Sequence, residues 1–125
     1  MTKRPTILIV DDERNTREGL QRALEGRYDV VLAEDAQKAT QTLESTPVDV
    51  MLTDLRMPGV DGMGLLRRAL SLSNPPVCIM MTAYGSIETA VQAMQAGAYH
   101  YVTKPVNLDE LELVIQRTCA RLLHD

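Results

Sequence analysis

Five residues of this 125-residue chain could do chemistry together if they met: Asp11, Asp12, Asp54, Thr82 and Lys104. Each stands where an apolar run stops. "TILIV" (6–10) runs into Asp11 and Asp12, and "DVMLT" (49–53) runs into Asp54. "VCIMMT" (77–82) ends in Thr82, and "YHYVT" (99–103) delivers Thr103 and then Lys104 and Pro105. Three crowded carboxylates repel one another unless a cation intervenes or a proton is retained. An oxygen-only ligand set without His or Cys favours a hard cation. A site of few carboxylates, completed by water and phosphate oxygens, suits Mg²⁺ better than Ca²⁺. Such an ion beside the Lys104 ammonium would neutralise an incoming phosphoryl group and leave Asp54 free to attack phosphorus as a carboxylate nucleophile.

Taken singly, each residue has a plainer role. An acid at a strand end is commonly a helix cap, Thr82 alone is a strand residue, Lys104 alone is a solvated charge, and Tyr101 packs as any tyrosine does. Met57, Met63, Met80, Met81 and Met94 read as flexible core filler. Joint occurrence at the ends of four apolar runs is what turns these positions into a candidate site.

The elements that must position them follow from the pattern. Besides the four runs above, "DVVLA" (29–33) reads as a strand, and a helix-like segment follows each of the five. That alternation predicts a parallel sheet in an α/β fold, and the doubly apolar first run predicts a central strand covered on both faces. In such sheets ligands gather outside the carboxyl ends of the strands, near the point where strand order reverses. The clearest helix is "SIETAVQAMQAG", where Ile87, Ala90, Val91 and Met94 recur at helical spacing between a candidate Ser86 cap and a Gly97 stop. The last helix, from about Asn107, places Leu108, Leu111, Val114, Ile115 and Leu122 on one broad stripe. Its end, "RLLHD", carries no Gly or Pro stop signal, which hints at a continuing chain.

Composition narrows the class. An apolar fraction of 45% and a charged fraction of 24% are those of an ordinary globular domain, and one domain is expected over 1–125. No apolar stretch is long enough to cross a bilayer and no signal-peptide pattern opens the chain, so a cytoplasmic location is expected. The net charge of −4, with 13 basic and 17 acidic residues interspersed, offers no stripe for nucleic acid. Cys78 and Cys119 have neither metal-ligand nor disulfide-framework spacing and read as core residues.

These residues resemble the receiver domains of bacterial two-component response regulators, through "DDE" (11–13), "DLRMPGVDG" (54–62), "MTA" (81–83) and "KP" (104–105). The resemblance implies a flavodoxin-like, doubly wound sheet of five parallel strands, order 2-1-3-4-5, with five helices. It implies that Asp54 is the phosphoacceptor for a sensor histidine kinase, with Mg²⁺ held by Asp12, Asp54 and the backbone carbonyl of Arg56, and Asp11 acting largely through bound water. Lys104, Thr82 and the amide of Ala83 would contact the phosphoryl group. Thr82 and Tyr101 would be the switch residues, with Tyr101 swinging inward and the surface of the fourth helix, fifth strand and fifth helix rearranging. The Lys104–Pro105 bond is expected to be cis. A dimer in at least one state is expected, without nucleic-acid or membrane contact by this domain.

Residues 82–111 resemble more narrowly receivers of the NtrC type, which precede an ATP-dependent domain activating σ54 RNA polymerase and a DNA-binding domain. This narrower resemblance implies that the chain is the N-terminal part of a longer regulator whose own effector domains would be its partners. No P-loop is present, so these residues are not expected to hydrolyse ATP. Val106 replaces the Phe that many relatives carry after Lys-Pro. Arg56 and Tyr84, both large, flank the acceptor and would slow self-dephosphorylation. Two other readings compete. A Mg²⁺-dependent aspartyl-phosphate phosphohydrolase of the haloacid dehalogenase type needs an acid two residues after the nucleophile, where this chain has Arg56. A phosphorylation-independent interaction module typically lacks one of the acidic or Lys positions, all of which are present.

Overall fold

A computed structural model of the chain describes residues 4–57, 60–83 and 87–124, and their side chains except at 57, 60, 61 and 120–124. The five strands are β1 (Thr6–Val10), β2 (Asp29–Ala33), β3 (Val50–Asp54), β4 (Val77–Thr82) and β5 (His100–Thr103). The five helices are α1 (Arg14–Leu24), α2 (Ala36–Ser45), α3 (Gly62–Leu70), α4 (Ile87–Ala96) and α5 (Leu108–His124). All neighbouring strands pair in parallel, in the order β2-β1-β3-β4-β5. The doubly wound sheet expected from the sequence is therefore the sheet observed. One small addition follows β3: Arg56–Met57 pairs antiparallel with Val60–Asp61 as a two-residue ribbon.

Because successive side chains of a strand point to opposite faces, the apolar runs split into two cores. Leu8, Val10, Met51, Cys78 and Met80 pack on one face with Ala39, Leu43, Leu65, Leu66, Ala69 and Ala93 from α2, α3 and α4. Ile7, Ile9, Val50, Leu52, Ile79, Met81 and Val102 pack on the other with Leu20 and Leu24 of α1 and Leu111, Val114, Ile115 and Cys119 of α5. β1 and β3 are buried along their whole lengths, which explains their unbroken apolar character. The same alternation places the candidate residues. Asp11 continues the Ile7, Ile9 series, Asp54 the Val50, Leu52 series and Lys104 the Val102 series, so all three fall on the α1/α5 side.

Local signals set the joints. The Asp35 side chain caps α2 by accepting from the Lys38 amide at 2.8 Å, and Asn107 accepts from the Glu110 amide at 3.1 Å at the start of α5. Gly97, at φ +117°, ends α4 as expected, with the Ala98 amide returning to the Ala93 carbonyl at 3.0 Å. Both cysteines are free and buried, and burial pushes the Cys78 thiol up to about 12.

The structure corrects two readings of helix faces. Of the apolar series of α4 only Ala90 faces the core: Ile87 is 70% exposed, Val91 47% and Met94 38%, while Ala90, and Ala93 outside the series, are buried. Met94 is therefore a surface residue rather than core filler, unlike Met63, Met80 and Met81, which are buried. Small alanines let α4 approach the sheet closely, and the larger residues of the series are left outside. In α5, Leu111, Val114 and Ile115 are buried but Leu108, in the first turn, is 47% exposed. The Ser86 cap, Tyr84, and the side chains of Met57 and Leu122 lie outside what is described. Among the described residues, no helix is long and apolar enough to cross a membrane.

Candidate functional site

Sheet register builds the site. Val10 of β1 is paired with Thr53 of β3, so Asp11 and Asp54 emerge side by side where the two central strands stop. Across β4, Asp54 is level with Met81, and Met81 with Val102 of β5. Two residues beyond Val102, Lys104 turns back over the edge; its amide donates to the Thr82 carbonyl at 2.8 Å, and the following bond to Pro105 is cis, as expected.

The Lys104 ammonium lies between two carboxylates, donating to Asp11 Oδ2 at 2.7 Å and to Asp54 Oδ2 at 2.8 Å. Burial alone would favour the neutral amine, but the hydrogen bonds and charges of Asp11 and Asp54 outweigh it and hold Lys104 above its ordinary value. The remaining carboxylate oxygens are met by backbone. The Glu13 amide donates to Asp11 Oδ1 at 2.8 Å, and the Arg56 amide donates to Asp54 Oδ1 at 3.0 Å. Asp11 is wholly buried and Asp54 nearly so, whereas Asp12, one residue on, is exposed.

Carboxylate oxygens of Asp11, Asp12 and Asp54 lie within 4.8 Å of one another. One ammonium among three acids leaves an excess of negative charge, and the donors are all hard oxygens with one acid open to solvent. That set fits Mg²⁺. Arg56, whose carbonyl was expected to complete it, is beside Asp54 in the short ribbon. Thr82 is buried at the end of β4, Ala83 is exposed just after it, and Tyr101 is 38% exposed, its ring 6.0 Å from that of His100. The structure thus gathers Asp11, Asp12, Asp54 and Lys104 closely, sets Thr82 and Ala83 on the same sheet edge, and leaves Tyr101 turned outward.

Two residues of the site were not anticipated. A Cβ on Gly62 would stand 2.7 Å from the Asp54 carbonyl, Leu55 Cα and the Leu55 carbonyl, so α3 can begin against the end of β3 only at a glycine. The motif "DG" at 61–62 was a signal for it. Arg17 donates through Nη1 to the Asp11 carbonyl at 2.8 Å, and nothing in the motifs marked it.

Residues 7–116 match the response regulator receiver domain family. The regulatory protein AtoC of Escherichia coli K12 is 43% identical over 94% of this chain, and the DNA-binding transcriptional regulator NtrC of the same organism is 35% identical over 92%. The receiver domain of an HD domain-containing protein from Pseudomonas fluorescens Pf-5 superimposes with a TM-score of 0.91 at 29% identity, covering 98% of this chain and all of that one. The chain belongs to the response regulator receiver domain family, and its relatives bear out the narrower resemblance to the NtrC type. It spans about a quarter of the length of AtoC and NtrC, 26% and 25%.

Proposed function

We propose that this chain is a cytoplasmic, phosphorylation-operated switch in which Asp54 accepts a phosphoryl group from the phosphohistidine of a sensor histidine kinase. The observation that carries the proposal is the Lys104 ammonium bridging Asp11 and Asp54 beside an exposed third carboxylate. Mg²⁺ held by Asp12, Asp54 and the Arg56 carbonyl, with Asp11 behind them, would supply charge neutralisation for the transferring phosphoryl group. Asp54 Oδ1 stays fixed by the Arg56 amide while Oδ2, released by Lys104, attacks phosphorus. The new O–P bond forms as the N–P bond of the donor breaks, and the imidazole leaves. Lys104 then pairs with phosphoryl oxygens, joined by the Thr82 hydroxyl and the Ala83 amide.

The product carries added charge and acceptor oxygens at the sheet edge. It acts through the balance of two arrangements, in which Thr82 moves toward the phosphoryl group and Tyr101 turns inward. The surface of α4, β5 and α5 changes accordingly, and the shift is limited by how differently the two arrangements are stabilised. The domain is the N-terminal unit of a longer regulator, as the greater length of its relatives supports. Its partners are the kinase, a second copy in at least one state, and its own effector, a σ54-activating ATPase with a DNA-binding domain.

The test is intact mass after incubation with acetyl phosphate and Mg²⁺. A gain of one phosphoryl group, lost in Asp54→Asn and in chelator, is expected. A gain that survives Asp54→Asn would overturn the assignment.

A further inference from the structure

Every polar group of Asp11 has a named partner. Its amide donates to the Ala33 carbonyl at 3.2 Å, Oδ1 accepts from the Glu13 amide, Oδ2 accepts from Lys104, and its carbonyl accepts from the Arg17 guanidinium at 2.8 Å. Three of those links are strand pairing, a local turn and the site lysine. The fourth is a long side chain reaching back from the first turn and a half of α1.

That reach matters because the Asp11 carbonyl belongs to the peptide joining Asp11 to Asp12. The plane of this peptide sets where Asp12 departs, and Asp12 is the exposed acid of the cluster. The peptide lies past the last residue of β1 and before the helix, so neither ladder nor helix bonds hold its carbonyl. The α1 arginine nearest in sequence, Arg14, is paired with Glu18 at 2.9 Å, and Arg17 alone of the two is turned to the strand end. Its own amide returns to the Glu13 carbonyl at 3.1 Å, which ties the arginine to the same loop from the other side.

We infer that Arg17 is a positioning residue for the cation site, holding the Asp11–Asp12 peptide so that the exposed Asp12 carboxylate meets Asp54 and Asp11 at binding distance. The inference rests on the proposed function for the identity of the cation. Side chains that orient ligands from behind typically contribute about tenfold or more to metal affinity. A guanidinium suits the task because its planar fork keeps a fixed direction toward one carbonyl.

The experiment is calorimetric titration of Mg²⁺ into the unphosphorylated protein, comparing the parent chain with Arg17→Gln, Arg17→Lys and Arg14→Gln. Arg17→Gln is expected to weaken Mg²⁺ binding about tenfold, with Arg17→Lys recovering part of the loss and Arg14→Gln close to the parent. Amide exchange at Glu13, read without metal, is expected to quicken in Arg17→Gln as the loop loosens. Equal loss in Arg17→Gln and Arg14→Gln would mean a general charge effect. Unchanged Mg²⁺ affinity in a folded Arg17→Gln would mean that the arginine merely fastens α1 to the sheet. Either result overturns the inference. Absence of Mg²⁺ binding in the parent chain would instead remove the cation from the proposed function.

Discussion

The acidic edge of the sheet and the outer face of α4 are built on opposite plans. At the edge, Asp11 and Asp54 have both carboxylate oxygens occupied and are held from four directions by Lys104, Arg17 and the amides of Glu13 and Arg56. On α4 the large apolar residues Ile87, Val91 and Met94 face outward, and the inward contacts are made by Ala90 and Ala93. One region is pinned by directional bonds that tolerate little displacement. The other meets the core through the small residues Ala90 and Ala93. The proposed chemical site needs the first, and the surface proposed to report on it needs the second.

Four substitutions sharpen or break that contrast. Lys104→Met removes the cation shared by two buried acids, and the uncompensated charge should lower stability by about 2 to 3 kcal/mol. Urea unfolding without divalent ion measures it, and adding Asp11→Asn should return more than half of the loss. If Lys104→Met unfolds with the parent, the edge is not held together by the ion pair. Gly62→Ala forces a methyl against three backbone atoms at 2.7 Å, and overpacking of that kind costs about 1 to 3 kcal/mol. A parent-like melting temperature would show that α3 can retreat freely from Asp54.

Asp12→Asn removes one of three mutually repelling acids and should raise stability by about 1 kcal/mol in metal-free buffer. Saturating Mg²⁺ should shrink or reverse that gain, because the parent then binds the ion more tightly. A destabilised Asp12→Asn would place the repulsion elsewhere. At the other region, Val91→Gln should change stability by no more than about 0.5 kcal/mol, since the side chain is already half in solvent. A loss comparable to that of a core truncation would mean that the face is covered in solution.

The same contrast separates what the sequence made legible from what it hid. Strand ends could be located because an apolar run that stops at Asp11, Asp54 or Thr82 marks its own terminus, and parallel topology then forces those termini to one edge. Which of two adjacent acids turned inward was not legible. Asp11 is buried and Asp12 exposed although both carboxylates reach one cluster, and "DD" carries no mark of which is which. The α4 face was misjudged for a related reason: a helical period finds a stripe but does not say which side meets the sheet. Ala90 and Ala93 decided that, through close approach rather than hydrophobicity. The contribution of Arg17 had no local signature at all, since a guanidinium meeting a carbonyl six residues earlier depends on how α1 docks.

The most direct test is hydrogen exchange on the phosphorylated protein, with Asp54→Asn treated identically and intact mass confirming a single phosphoryl group. Exchange should change in α4 and β5 while β1 and β3 stay as protected as before, and Asp54→Asn should show neither change. A protein fully phosphorylated at Asp54 whose α4 exchanges as in the unmodified chain would contradict the view of a fixed chemical edge coupled to a movable face.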